Sequence, residues 1–234
     1  MKDYPQWEND KLGADSEFYT GEAGVYESFS QAEDVPKKVV GFLGSRIEGK
    51  VVLDFGCGTG KFIPDFAPLA KTYWAIDISE NQLTIARKKA ETFDNVKLIK
   101  TDGEKIPLES NSVDIILAVW VIGSIHDLET REKIVKELGR VVKEGGSIYL
   151  VENDIGGEFK NIIEGKAGDE KTRIKNKWLE KSGFRKVHSF ETFFEFKDLE
   201  TAKDIFKIIW GDKISAKISS KKIAHNVAIY EITK

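Results

Sequence analysis

The sequence predicts an α/β fold built on a doubly wound, mostly parallel sheet. Three observations carry that prediction. Apolar runs of strand length alternate five times with stretches of helical period between Val51 and Glu152. The first run, V51-V52-L53-D54-F55, passes directly into G56-C57-G58-T59-G60, with glycine at every second position. The next run, Y73-W74-A75-I76-D77-I78, closes on a carboxylate. Glycine reaches positive φ and has no Cβ, so such a loop bends sharply and lets a ligand lie against the backbone. A carboxylate at the end of the neighbouring strand suits a ribose diol, and the two features together belong to nucleoside-cofactor sites in doubly wound sheets.

The elements follow in order. Residues 1–34 are polar with interspersed aromatics, among them Trp7, Phe18, Tyr19, Tyr26 and Phe29, and read as an N-terminal flap. Asp34 offers a helix N-cap with Pro36 in the first turn, and Val39, Phe42, Leu43 and Ile47 share the apolar face up to Gly49. Strand one is Val51 to Phe55. The helix after the glycines holds Phe62, Phe66 and Leu69 and tolerates Pro64 in its first turn. Strand two is Tyr73 to Ile78. Ser79 with Gln82 three residues on forms a capping box for the next helix, which buries Leu83 and Ala86 and leaves at Asn95. Strand three is V96-K97-L98-I99-K100. Strand four, Val113 to Trp120, is a continuous apolar run expected of a central strand. A helix from Leu128 to Lys143 places Ile134, Val135, Leu138 and Val142 inside and stops at Gly145-Gly146, before strand five, Ser147 to Glu152. A helix from about Thr172 to Lys181 leads into R185-K186-V187-H188-S189-F190-E191-T192-F193-F194-E195-F196. A lysine-rich amphipathic insertion over 197–222 and a closing strand, N226-V227-A228-I229-Y230-E231-I232, complete the chain.

At 234 residues and 41% hydrophobic content, the chain is the size of one large domain with ample core. No window has the length of a membrane span, and M1-K2-D3-Y4-P5-Q6-W7 carries no apolar signal region. The one cysteine, Cys57, excludes an internal disulfide and suits a reducing, cytoplasmic setting. His126, His188 and His225 are scattered without metal-ligand spacing. A net charge of −3 argues against a generally basic nucleic-acid binder.

Together the motifs resemble the class I S-adenosylmethionine (SAM)-dependent methyltransferases of the type 11 group. D54-F55-G56-C57-G58-T59-G60 is similar to their first motif, A75-I76-D77-I78-S79 to the second, and T101-D102-G103 to the acidic turn after strand three. The run from Val113 to Trp120, preceded by I106-P107-L108, resembles their fourth-strand motif. L138-G139-R140-V141-V142-K143-E144-G145-G146-S147 resembles the passage into strand five. The resemblance covers about Val35 to Glu152 and implies a seven-stranded sheet whose last strands form an antiparallel hairpin. It divides the single domain into a flap (1–34), a SAM-binding core (35–154) and substrate-side elements (155–234). A nicotinamide dehydrogenase fingerprint, G-x-G-x-x-G, fails at Lys61.

The resemblance also implies roles. Gly56, Gly58 and Gly60 would turn against the methionine part of SAM, with Cys57 a small filler between them. Asp54 would orient the loop and the ligand's ammonium, or simply cap the loop. Asp77 would accept from both ribose hydroxyls, in charge-assisted bonds. Ile78 would lie on one adenine face, and Asp102 with the Gly103 backbone would meet the adenine amine. Val119 and Trp120 would border the donor or acceptor pocket, although a core Trp is an equal reading, and Tyr19 and Tyr26 would cover SAM from the flap. On the acceptor side, His126 is either a base or part of the helix-capping cluster S124-I125-H126-D127. V119-W120-V121-I122-G123 with L150-V151-E152-N153 is similar to the protein α-N-terminal methyltransferases, whose acid–Asn pair beside the substrate amine would correspond to Glu152 and Asn153. Ser124 stands where those enzymes carry His, and the 197–222 insertion departs from them. Its apolar face and F193-F194-E195-F196 would line a pocket, form a dimer contact or pack on the sheet edge.

The expected activity is therefore methyl transfer from SAM, with S-adenosylhomocysteine (SAH) as product, to a small-molecule O, N or C acceptor and without a metal. Protein or peptide N-methylation is the second substrate class and RNA methylation the third, since no appended RNA-binding module is visible; a nicotinamide oxidoreductase and a non-catalytic SAM-binding scaffold are the alternatives from other classes.

Overall fold

A computed structural model describes residues 22–234. Seven strands form one sheet: β1 (Val51–Phe55), β2 (Thr72–Asp77), β3 (Val96–Lys100), β4 (Val113–Val119), β5 (Val142–Asn153), β6 (Arg185–Glu195) and β7 (Lys222–Thr233). Their order is β3-β2-β1-β4-β5-β7-β6. The first five pair in parallel, whereas β7 runs antiparallel to both β5 and β6. The chain winds outward from β1 in one direction and from β4 in the other. The carboxyl ends of β1 and β4 therefore make the crevice where ligands bind in such sheets.

The helices are α1 (Ala23–Ala32), α2 (Lys38–Ile47), α3 (Ile63–Phe66), α4 (Glu80–Ala90), α5 (Leu128–Val141), α6 (Glu158–Glu164), α7 (Gly168–Lys181), α8 (Leu199–Trp210) and α9 (Asp212–Ser215). Side chains alternate across a strand, so the apolar run of β4 divides between two cores. Ile115 and Leu117 join Val39, Leu43 and Ile47 of α2 and Leu83 and Ala86 of α4 on one face. Ile116 and Ala118 join Ile134 and Leu138 of α5 and Leu179 of α7 on the other. Burial on both faces is what a continuous apolar strand requires.

A third core lies at the carboxyl edge of the sheet. Ala32 at the end of α1 packs with Phe159 and Ile162 of α6, Ala202, Ile205 and Phe206 of α8, and Phe194 and Phe196. Within F193-F194-E195-F196 the strand period sends Phe194 and Phe196 inward, while Glu195 stays exposed. The insertion thus covers this cluster and is tied to the N-terminal helix.

Several boundaries differ from the sequence reading. The α2 helix begins at Lys38, yet the Asp34 carboxylate still accepts from the Lys38 and Val39 N–H groups, so the cap acts from outside the first turn. Helix α3 is a single turn. Helix α5 ends at Val141, and Gly145 and Gly146 lie inside β5 instead of closing the helix. A Cβ on Gly146 would sit 2.7 Å from the Asp114 carbonyl oxygen, beside the register shift between Val113 and Ile115.

Candidate active site

Strand β1 delivers its loop to the crevice through two bonds to one acceptor, since Gly56 and Cys57 both donate to the Ile76 carbonyl at 2.9 Å. Gly56 has φ +70°, and a Cβ there would meet Val121 Cγ2 at 2.5 Å and Cγ1 at 2.8 Å. Glycine is therefore required twice over, by the left-handed backbone and by the loop after β4 pressing on it. Gly58, at φ +56°, is closed over by Gln82 Oε1 at 2.8 Å and Tyr26 Cε1 at 3.1 Å from its would-be Cβ. Tyr26 of α1 therefore lies against the glycine loop. Tyr19 lies outside the described residues. Gly60 packs toward Ile63 and Ala86.

Asp77 belongs to the same unit. Its Oδ2 accepts from Gly58 N at 2.9 Å and its Oδ1 from Ser79 N at 2.8 Å. A carboxylate has about four lone-pair sites, so these bonds leave room for a further donor. Burial raises its proton affinity, and bonds from the Ser79, Gly58 and Ile78 backbone oppose that rise. Next to it, Ile78 stays 38% exposed, an apolar side chain open at the sheet's carboxyl edge where a ring can lie. Asp102 is exposed and accepts from Glu104 N at 3.1 Å in the turn that carries Gly103, at φ +81° over the Phe55 ring. Asp54 is buried and accepts from Tyr73 OH at 2.7 Å, and burial pushes its carboxyl up to about 7. Burial also lifts the Cys57 thiol well above its ordinary range, which suits a filler. A tight glycine loop, an acid bonded to it and an open apolar neighbour fit a nucleoside-bearing ligand.

The opposite wall starts at half-buried Val119 and Trp120. Trp120 donates its backbone N–H to Val151 O at 2.8 Å and then turns to φ +58°. A positive φ at a bulky residue is strained, and such strain concentrates at functional sites. Its ring lies 6.5 Å from Phe62, 6.1 Å from His225, and 5.0 Å from the Lys61 ammonium.

The other residues expected on the acceptor side are placed as follows. Glu152 is 3% exposed, accepts from Gly123 N at 2.8 Å and pairs with Lys175 Nζ at 3.1 Å. Its carboxylate ties the loop after β4 to the end of β5. Asn153 Oδ1 instead faces His225 Nε2 at 2.8 Å. His126 is half-buried just ahead of Asp127, which caps α5 through Thr130 N at 2.7 Å. Among the described residues no hydrogen bond or ion pair links His126 to Glu152 or Asn153. Glu33, Lys61 and His225 stand in this region without having been singled out for it. They come from the end of α1, the glycine loop and β7, so no local spacing connects them. Among the described residues there is no group of three or more His, Cys, Asp or Glu arranged to hold a metal, and no helix is long and apolar enough to cross a membrane.

Residues 53–150 match the family described as "Methyltransferase domain". The chain is 31% identical over 128 residues to the demethylmenaquinone methyltransferase of Staphylococcus aureus (strain MRSA252), covering 53% of this chain and 52% of that one. It thus spans about half the length of the curated relatives it matches. In structure it is similar to a SAM-dependent methyltransferase from Aquifex aeolicus, at a TM-score of 0.58 and 20% identity over 88% of this chain and 97% of that one. The [4+2]-cyclase SpnF is also similar, with a TM-score of 0.58 and 17% identity over 84% and 81% of the two chains.

Proposed function

We propose that the chain, whose residues 53–150 match the methyltransferase domain family, transfers a methyl group from SAM to a small-molecule acceptor. The observation that carries this reading is the joined unit of glycine loop and acid, in which Asp77 bonds Gly58 N at the crevice between β1 and β4. Residues 1–234 act in it as one domain, with the segments on either side of the core completing the acceptor side.

Asp54, Gly56, Cys57, Gly58 and Gly60 would hold the amino-acid end of SAM. Asp77 would take the ribose hydroxyls, Ile78 and Asp102 with Gly103 the adenine, and Val119, Trp120 and Tyr26 would close the site. When bound, SAM supplies a methyl group on a sulfonium sulfur, whose positive charge is lost as the thioether product forms. The chain's own task is alignment and exclusion of water. Tyr26 lies over the loop, and Trp120, Phe62 and His225 wall the acceptor side with rings. Holding donor and acceptor in line supplies on the order of 7–11 kcal/mol of such a barrier. Glu152 holds the loop after β4 through Gly123 and Lys175, a positioning role. His126, beside the α5 cap, remains the candidate base at the mouth of that loop.

A small acceptor is favoured because α1 and the insertion, packed together through the third core, cover the carboxyl edge. The named relative acts on demethylmenaquinone, a small molecule, which supports the same class. The test is incubation with methyl-labelled SAM and fractionated cell extract, alongside SAH calorimetry. Label in the small-molecule fraction is expected. Label in protein alone would transfer the reading to peptide methylation, and SAH binding with no label in any fraction would overturn catalysis.

A further inference from the structure

A buried polar cluster stands on the acceptor side, and the donor site makes no use of it. His225 on β7 is 1% exposed. Its Nε2 faces Asn153 Oδ1, an atom that only accepts, so the ring proton sits on Nε2 and Nδ1 keeps its lone pair. Burial, reinforced by Lys160, Lys61 and Lys175, holds this imidazole down to about 3, and the ring is neutral. Glu33 Oε1 lies 3.3 Å from Nδ1, which has no hydrogen-bond partner among the described residues. Burial raises the Glu33 carboxyl to about 8 against the pull of Lys61, with Asp34 adding to the rise, so this contact is neutral and not a salt bridge.

Trp120 contributes the complementary atom. Its Nε1–H is buried without an acceptor, in a ring stacked on His225 at 29°. One lone pair and one N–H, both cut off from water, are thus left over in two neighbouring rings. Native proteins pair almost all such atoms, and each exception calls for an explanation. Phe62 and Phe159 flank the two rings, at 6.5 Å from Trp120 and 5.1 Å from His225. Lys61, the residue after the glycine loop, fastens the cover by donating to the Glu33 carbonyl at 2.5 Å.

We propose that this cluster is the acceptor subsite and selects a planar hydroxylated ring, with His225 Nδ1 accepting from its hydroxyl, Trp120 Nε1 donating to its oxygen, and Glu33 withdrawing to admit it. A hydroxyl is the neutral group that both donates and accepts, so it meets both leftover atoms. Aromatic walls, Phe62 beside Trp120 and Phe159 tilted 60° against His225, favour a ring over an aliphatic chain. Glu33, on the residue that follows α1, occupies the place of the ligand's hydroxyl with its own neutral carboxyl. That the bound molecule is the methyl acceptor rests on the methyl-transfer reading above.

The test is calorimetry on the whole chain with 2-naphthol and naphthalene, each with and without SAH. Wild type is expected to bind 2-naphthol at least tenfold more tightly than naphthalene. His225→Phe and, separately, Trp120→Phe should reduce that preference to threefold or less. Glu33→Ala should tighten 2-naphthol, an effect that a merely structural Glu33 would not give. Equal affinity of wild type for the two probes, or binding of neither, overturns the subsite without any variant having to fold. Failure of SAH to bind would instead sink the methyl-transfer reading, and the naphthol preference measured without SAH would still decide the subsite.

Discussion

The sharpest prediction concerns Gly56, where the loops after β1 and β4 meet. In Gly56→Ala the new methyl would lie 2.5 and 2.8 Å from the two Cγ atoms of Val121, at a residue with φ +70°. The left-handed backbone alone costs an L-residue about 1–2 kcal/mol. Carbon pairs sit best at about 3.5–4.0 Å, so Val121 must retreat by about 1 Å. Overpacking of that kind adds about 1–3 kcal/mol. The sum is about 2–5 kcal/mol, or a fall in Tm of roughly 4–20 °C for a chain of this size. Val121→Ala removes both clashing atoms and leaves only Cβ, at 3.3 Å. In that background Gly56→Ala should therefore cost only the backbone share, giving a coupling of about 1–3 kcal/mol in a double-mutant cycle. Urea unfolding of the four proteins reads the cycle. SAH calorimetry on the same set should show affinity falling in Gly56→Ala and recovering in part in the double variant. A cost below about 0.5 kcal/mol, or the same cost with Val and with Ala at position 121, would refute the idea that the two loops are packed into one cradle.

Three further outcomes follow from the same geometry. Asp77→Ala removes a charged acceptor and strands the Gly58 N–H, so SAH affinity should weaken by about 1–3 kcal/mol; unchanged calorimetric affinity would take Asp77 out of the site. Tyr73→Phe removes the bond that favours ionised Asp54, whose carboxyl already sits at about 7. Its cost in urea unfolding should be larger at pH 8 than at pH 5, and equal costs would show that the Asp54 charge does not feel Tyr73. The Glu33 carboxyl is raised from 4.5 to about 8, so its contribution to stability is complete below pH 4.5 and is lost as pH rises through 8. Glu33→Gln should flatten the decline in stability between pH 5 and 9 relative to wild type, and parallel curves for the two proteins would contradict a buried neutral carboxyl.

What the sequence revealed and what it concealed divide along range. The Ser79 cap, with its Oγ accepting from Gln82 N, and the Asp127 cap are local in sequence and were legible as such. So was the parallel core, because burial on both faces leaves a continuous apolar run in β4. Gly145 and Gly146 misled because a helix stop and a strand irregularity use the same residue. Only the pairing of Val142 with Val113, nearly thirty residues away in the chain, decides between them. Glu152 was legible as an acid at the end of β5. Its commitment to Gly123 N and Lys175 was not, since neither partner has a fixed spacing from it. His225 carried no signal at all. Its significance comes from Asn153, Glu33 and Trp120, which arrive from three other elements.

That division bears on substrate. The family match runs over residues 53–150, and it contains the glycine loop, Asp77 and Trp120. Glu33, Asn153, Phe159, Phe194 and His225 all lie outside it. Phe159 and Phe194, which flank His225, belong to the third core, in which α1 and the 197–222 insertion share one set of aromatic contacts: Phe29 stacks on Phe194 at 5.0 Å and meets Trp210 edge-on at 5.5 Å. The glycine loop and Asp77 thus lie in the stretch shared with relatives, whereas most of the residues around His225 lie outside it. The [4+2]-cyclase is similar to this chain in fold alone, at 17% identity. On the proposed reading, specificity is set by the wall that α1 and the insertion build at the carboxyl edge. If that is right, exchanging residues within 53–150, other than Lys61, Phe62 and Trp120, for those of the Staphylococcus aureus relative should alter SAH affinity while leaving the preference between 2-naphthol and naphthalene in place. Exchanging Glu33 and His225 should do the reverse.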